Sequence, residues 1–155
     1  MRVQKSNIIL DDDFKPLLVK ESEINYKELD NLDNSDKIVK VMNEVFEMDR
    51  KAEEYLYIIA MTYQYKPISF FEVSHGVHNS TYARRREIMI RLLLYGACKF
   101  VIVHNHPSGE TNPSSNDKDI TEKLKKCAEF VGMNFVDSII IGRDNYFSFR
   151  NNGLM

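Results

Sequence analysis

Apolar residues along the chain form short continuous runs and runs spaced three or four residues apart, a mixture typical of strands and helices. Four continuous runs, rich in aromatic and β-branched residues, predict strands at 55–63, 68–73, 100–103 and 133–141. The helical spacing predicts helices that begin at Ser35, at Arg84 and at about Ser115. A last apolar stretch, 146–149, completes a hairpin with the strand before it. The chain is therefore predicted to be α/β, with a mixed, mostly antiparallel sheet and flanking helices.

The first 34 residues have a different pattern. Ile8–Leu10 and Phe14–Val19 flank an acidic turn and predict a hairpin of two short strands. Pro16 lacks a backbone N–H group, so it favours an edge strand. Residues 20–34 are polar and acidic and predict a linker. We divide the chain into this hairpin and linker at 1–34, a domain at 35–150 and a tail at 151–155.

Composition and charge limit which kinds of protein this chain can be. The 155 residues suit one domain. A formal net charge of −2 gives no excess of positive charge with which to bind nucleic acid. The one tight basic run, Arg84–Arg86, is interpreted as an exposed helix start, so strong nucleic-acid binding is not expected. Cys98 and Cys127 lie far apart and are expected to be reduced. Without a signal peptide or a run of about 18 apolar residues, we expect a cytoplasmic protein with no membrane contact.

Polar residues with metal-binding chemistry follow the strand at 100–103. His104 and His106 are two apart, so their imidazoles project to the same side at the strand end. The loop that follows can fold back and bring Asp117 to the same point. Two imidazole nitrogens and one carboxylate leave the fourth position of a tetrahedral zinc open for water, which is typical of catalytic zinc sites. The same ligand set also suits iron, manganese or cobalt.

An alternative explanation of part of this pattern is local. Ser114-x-x-Asp117 is close to a helix N-terminal capping box. Capping accounts for Ser114 and Asp117, but it leaves His104 and His106 unexplained. Asn105, between the two histidines, should face away from the metal and serve as a structural hydrogen-bonding residue.

The sequence from His104 to Asp117 resembles the JAMM (MPN-plus) metalloprotease signature. The motif His-Asn-His-Pro-Ser-Gly within it resembles the RadC branch of that family. Further similarity, over roughly residues 34–150, is found in four segments: Glu54 with the apolar strand after it, Gly76–Ser80, Arg86–Glu87 and Asp137–Gly142. Two positions depart from the family pattern. Arg85 stands where the family has proline, and Ser138 stands where it has histidine.

The resemblance implies a JAB/MPN-like fold with cytidine-deaminase-like architecture, a zinc ion, and a glutamate base at the start of an early strand. Glu54 aligns best with that base, because the apolar run begins immediately after it. Glu53 should point to the opposite face if the strand already extends there, and Glu72 is expected to be a surface carboxylate. Ser114 could stabilise the oxyanion of the substrate. His75 and His78 lie in a predicted loop and are not assigned as ligands.

The function that follows from the resemblance is zinc-dependent hydrolysis of a peptide or isopeptide bond in a peptide or protein substrate. Two alternatives stay open: an accessory protein of DNA repair or mobile elements, and a binding module that keeps the metal without turnover. The substrate and the oligomeric state are not fixed by the sequence.

Overall fold

A computed structural model describes residues 1–76 and 84–155. Within these ranges the chain forms seven strands, three α-helices and a short 3-10 turn at Met48–Arg50. The strands are β1 Arg2–Leu10, β2 Pro16–Asn25, β3 Tyr55–Met61, β4 Pro67–His75, β5 Lys99–Asn105, β6 Asn134–Ile141 and β7 Tyr146–Ser148. The helices are α1 Ser35–Phe46, α2 Arg84–Leu94 and α3 Ser115–Phe130. No helix in the described part of the chain is long and apolar enough to cross a membrane.

All seven strands belong to one sheet, with the order β2-β1-β4-β3-β5-β6-β7. Four of the neighbouring pairs are antiparallel, whereas β1–β4 and β5–β6 are parallel. The predicted α/β class with a mixed, mostly antiparallel sheet is confirmed. Strand β5 lies between β3 and β6, and all of its residues are buried. Because both of its faces are covered, the sequence of this strand is a nearly continuous run of apolar residues rather than an alternating one.

Each face of the sheet carries a hydrophobic core. Helix α1 covers one face, where Ile38 and Met42 pack with Tyr57 and Phe70. Helices α2 and α3 cover the other face, where Ile88 and Leu124 pack with strand residues such as Ile102. Successive side chains of a strand alternate between faces, so His104 projects to the same side as Ile102. This candidate metal ligand therefore lies on the face covered by α2 and α3.

The N-terminal hairpin is longer than predicted. Strands β1 and β2 pair antiparallel from Arg2 with Asn25 to Leu10 with Pro16, so residues 20–25, predicted as linker, belong to β2. Their polar side chains gave no strand pattern because most of β2 is exposed, and an exposed edge strand needs no apolar face. Pro16 begins this edge strand, as predicted. The hairpin joins the sheet through β1 and β4, so it is continuous with the strands that follow, and the proposed boundary at residue 34 stays a prediction.

The remaining elements differ from prediction mainly at their ends. Strand β3 ends at Met61 rather than Tyr63, because residues 62–66 form a tight turn in which the Tyr65 N–H donates to the Thr62 carbonyl. Strand β4 continues to His75, which was predicted to be in a loop. His78 and most of the segment Gly76–Ser80 lie outside the described residues. Gly96, with a positive φ of 59°, follows the end of α2.

Candidate metal centre

Three side chains meet where β5 ends and α3 begins. His104 Nε2 lies 3.1 Å from His106 Nε2 and 3.1 Å from Asp117 Oδ1, and His106 Nε2 lies 3.7 Å from Asp117 Oδ2. One ligand atom from each residue falls within 4.8 Å of the others. His104 and Asp117 are buried, and His106 is half-buried. The predicted grouping of these three residues is thus present in the structure.

The spacing of these atoms fits a tetrahedral metal ion. Zinc–nitrogen and zinc–oxygen bonds near 2.0–2.1 Å place neighbouring ligands of a tetrahedron about 3.3 Å apart. The two separations that His104 Nε2 makes, with His106 Nε2 and with Asp117 Oδ1, are both 3.1 Å and lie close to that value. The donor set can therefore hold a divalent metal ion with little rearrangement, and its chemistry suits zinc as well as iron, manganese or cobalt.

The orientation of His106 is set by the loop that follows it. Its backbone N–H donates to the Ile141 carbonyl at 2.9 Å, which extends the parallel β5–β6 pairing by one residue. Its Nδ1 donates to the Glu110 carbonyl at 2.7 Å. A carbonyl only accepts, so this bond places the proton on Nδ1 and leaves the Nε2 lone pair directed at the cluster. Such a bond on the distal nitrogen is the usual support for a metal-binding histidine.

Gly142 allows this loop to pack against the end of β6. A Cβ atom at Gly142 would lie 2.5 Å from the Gly109 carbonyl oxygen, 2.6 Å from Asn145 Oδ1 and 2.8 Å from Thr111 Cγ2. These distances are too short for any side chain, so the position requires glycine. In the sequence Gly142 stood out only as the end of the Asp137–Gly142 segment that is similar to the family pattern. Its contact with the loop that supports His106 depends on the tertiary structure.

Asp117 is both a candidate ligand and part of a helix cap. Ser114 Oγ accepts from the Asp117 N–H at 3.2 Å, while Asp117 Oδ2 accepts from the Ser114 N–H at 2.8 Å and from Ser114 Oγ at 2.6 Å. The capping box is therefore formed. The cap holds Oδ2, and Oδ1 faces His104, so one carboxylate oxygen points to the metal position. The local and the metal-binding interpretations of Ser114-x-x-Asp117 hold together.

The Asp117 carboxyl titrates far from its ordinary range. Burial alone would raise its pKa, but the hydrogen bond and charge of His104 and the hydrogen bonds from Ser114 outweigh burial and hold the pKa well below its usual value. The carboxylate is therefore ionised at neutral pH. Metal binding needs that form.

A buried hydrogen bond fixes α3 against the sheet one turn beyond Asp117. Thr121 Oγ1 donates to Ser138 Oγ at 3.0 Å, and both residues are almost fully buried. Ser138 is the position where the family pattern has histidine, and here it positions the helix that carries Asp117. The neighbouring Asp137 faces the opposite side of the sheet, where it accepts from the Ser35 and Ser148 hydroxyls at 2.9 and 2.6 Å.

A cavity of about 450 Å³ opens beside two of the three candidate ligand residues. Its walls include His106, Ser114 and Asp117 together with both Glu53 and Glu54. Glu53 was expected to point to the opposite face if the strand already extended to it. Strand β3 begins only at Tyr55, so that condition is not met and strand alternation does not apply to these two glutamates. Glu54 is the more buried of the two, and the catalytic roles of Glu54 and Ser114 stay predictions.

Glu72 lies on the other face of the sheet and is not a simple surface carboxylate. It is half-buried and bonds to the Lys5 ammonium at 3.1 Å, the Tyr57 hydroxyl at 3.0 Å and His75 Nδ1 at 2.9 Å. Burial raises the pKa of its carboxyl, but these three partners outweigh burial and lower it. The Glu72 carboxylate therefore stabilises the fold through these hydrogen bonds, away from the candidate metal ligands.

Asn105 faces away from the ligands, as predicted, and ties their strand to the segment that carries the glutamates. Its Oδ1 accepts from the Tyr55 N–H at 2.8 Å, and its Nδ2 donates to the Glu53 carbonyl at 3.0 Å and the Lys51 carbonyl at 3.4 Å. The side chain is buried, with 2% of its surface exposed. The sequence predicted a structural role but gave no indication of these partners.

Comparison with known proteins places this site in a family. The family model described as RadC-like JAB domain matches residues 32–154. A UPF0758 protein of Clostridium acetobutylicum is 37% identical over 103 residues, which cover 66% of this chain and 45% of that protein. A UPF0758 protein of Thermotoga maritima is 32% identical over 124 residues, covering 80% of this chain and 54% of that protein.

These alignments span about half the length of the curated relatives. A third relative, the UPF0758 protein of Clostridioides difficile, is 44% identical over 85 residues, which cover 55% of this chain and 36% of that protein. The matched region includes the β5–α3 segment with its histidines and aspartate. The chain belongs to the RadC-like JAB domain family.

Proposed function

We propose that this chain is a zinc-dependent amide hydrolase that cleaves peptide or isopeptide bonds. The observation that carries the proposal is the ligand cluster of His104, His106 and Asp117, with spacing that fits a tetrahedral metal, at the wall of a cavity that also contains Glu54. Three protein ligands leave one position for water or substrate, which is the arrangement of catalytic rather than structural zinc sites. A metal-binding module without turnover would need neither the cavity nor the glutamate.

The metal and the protein residues have separate roles in this proposal. When bound, zinc supplies a water whose pKa is lowered to about 7 and polarises the substrate carbonyl. Glu54 takes the proton of the attacking water and hands it to the leaving amine. The Ser114 hydroxyl lies at the cavity wall and could donate to the developing oxyanion. In the structure its proton is directed to Asp117, so that role requires the hydroxyl to turn toward substrate.

The experiment is metal analysis of the purified chain followed by an amide-hydrolysis screen with and without chelator. One zinc per chain and hydrolysis that stops on chelation and returns with zinc would support the proposal. A chain that binds zinc stoichiometrically yet hydrolyses no peptide or isopeptide substrate would leave the binding module as the better description. Absence of any bound divalent metal would overturn the proposal.

A further inference from the structure

A second cavity, of about 340 Å³, adjoins the cavity of about 450 Å³ beside the candidate metal ligands. The two cavities share Ala52, His106 and Pro107, so one extended ligand can contact both. The other walls of the second cavity come from the 3-10 turn, the segment before β3, the end of β5 and the loop after β6. They are Asp49, Arg50, Lys51, Asn105 and Arg143. We name it the basic cavity.

The basic cavity holds an excess of positive charge. The cavity is lined by three cationic residues, Arg50, Lys51 and Arg143, and by one carboxylate residue, Asp49. Within residues 1–76 and 84–155, none of these three cations forms an ion pair with a carboxylate, and the Lys51 ammonium lies over the Tyr55 ring at 4.9 Å from its centroid. Cations left without partners in a concave site attract an anion.

The backbone around the basic cavity is held by the same contacts that build the metal centre. The Lys51 carbonyl accepts from Asn105, and the Arg50 N–H donates to the Glu47 carbonyl at 3.0 Å. Arg143 follows Gly142, whose close approach to the loop after β5 fixes that turn. The backbone that carries the three cations is thus held at a set position relative to His106. An anion bound among them would lie beside the metal centre.

We propose that the basic cavity binds a carboxylate of a peptide substrate and so places a neighbouring amide bond at the metal centre. This inference rests on the proposed function. The carboxylate is either an acidic side chain or the C-terminus of the peptide. A single carboxylate suits a cavity of this size with one acidic wall, whereas Asp49 and the nearby Glu53 and Glu54 would repel the repeated phosphates of a nucleic acid.

The test uses matched peptides with the zinc-loaded chain. The peptides differ by Asp against Asn, and by a free C-terminus against a carboxamide, so the two sources of the carboxylate are separated. Carboxylate-bearing peptides should have KM values about tenfold lower than their neutral partners, roughly the effect of one charge-assisted hydrogen bond. In Arg143→Gln that preference should fall with kcat little changed, and neutral peptides should be unaffected. The control is Arg86→Gln, because Arg86 is exposed on α2 and pairs with Glu87.

A binding measurement separates this inference from the proposed function. Fluorescence anisotropy of the same labelled peptides on the Glu54→Gln variant needs no turnover. Tighter binding of the carboxylate peptides, lost in a Glu54→Gln, Arg143→Gln double variant, would support the basic cavity even if no peptide were cleaved. Equal affinity for charged and neutral peptides would overturn it, while hydrolysis of both by the wild-type chain would leave the proposed function intact. Tight binding of duplex DNA that depends on Arg143, without a carboxylate preference, would also overturn it.

Discussion

Replacing Asn105 with alanine should loosen the segment that carries Glu54 while leaving the metal ligands in place. The change removes the acceptor of the Tyr55 N–H and the donor to the Glu53 and Lys51 carbonyls. Two of these bonds are short and one is long, at 3.4 Å. At about 1 kcal/mol for each net hydrogen bond, the loss is about 2–3 kcal/mol. For a chain of this size the melting temperature should fall by roughly 5–10 °C.

The effect on catalysis should be separable from the loss of stability. His104 stays on a strand paired on both sides, and the His106 N–H keeps its bond to the Ile141 carbonyl, so Asn105→Ala should keep one zinc per chain. A general base displaced by about 1 Å can cost up to 100-fold in rate, so kcat should fall between about tenfold and 100-fold. The assays are thermal unfolding, zinc content and steady-state kinetics at a temperature well below the melting transition.

A matched control decides whether Asn105 positions the base or only stabilises the fold. Ser69 is fully buried on β4, and its hydroxyl contacts Ser6 Oγ at 2.7 Å and the Gln4 carbonyl at 3.1 Å. Ser69→Ala should lower stability by a similar order without lowering kcat. If the two variants lost stability and kcat to the same extent, or if Asn105→Ala kept wild-type kcat, the positioning role would be refuted.

The remaining predictions concern the ligands, the base and nucleic acid. His104→Ala or His106→Ala should remove most bound zinc from a chain that stays folded, as measured by metal analysis and circular dichroism; stoichiometric zinc after both changes would contradict the ligand assignment. Glu54→Gln should keep zinc and lose turnover by about 100-fold or more, whereas Glu72→Gln should leave turnover nearly unchanged, and the reverse pattern would move the base to Glu72. Duplex DNA should bind weakly at near-physiological salt; sub-micromolar binding that collapses when Arg84–Arg86 become alanine would favour the DNA-repair accessory role.

The three candidate ligands could be predicted from the sequence because residues with metal-binding side chains are close to one another along the chain. His104, His106 and Asp117 lie within one strand–loop–helix unit, so alternation along the strand and the short return loop were enough to bring them together. Glu53 and Glu54 both line the cavity beside the ligands, and strand alternation could not distinguish them because β3 begins only at Tyr55. Alternation cannot be extended past the end of an element.

Features that join distant parts of the chain were not predictable in this way. The partners of Asn105 lie some 50 residues before it, and Arg143 lies far along the chain from Arg50 and Lys51. Only the order of strands in the sheet brings these residues together. The requirement for glycine at Gly142 also comes from a loop about 30 residues earlier in the chain. No local pattern of apolar and polar residues carries such information.

The N-terminal hairpin has a consequence for how this domain should be handled. Without β1 and β2, the free edge of the sheet would be β4, whose residues Ser69–Phe71 are buried. An exposed edge with apolar side chains is a template for intermolecular pairing and aggregation. Strand β2 instead presents Lys20, Glu21 and Glu23 at the edge, and charges of this kind discourage such pairing. A shortened chain cut at residue 32, where the family match begins, should therefore be far more prone to aggregate than the chain with its hairpin.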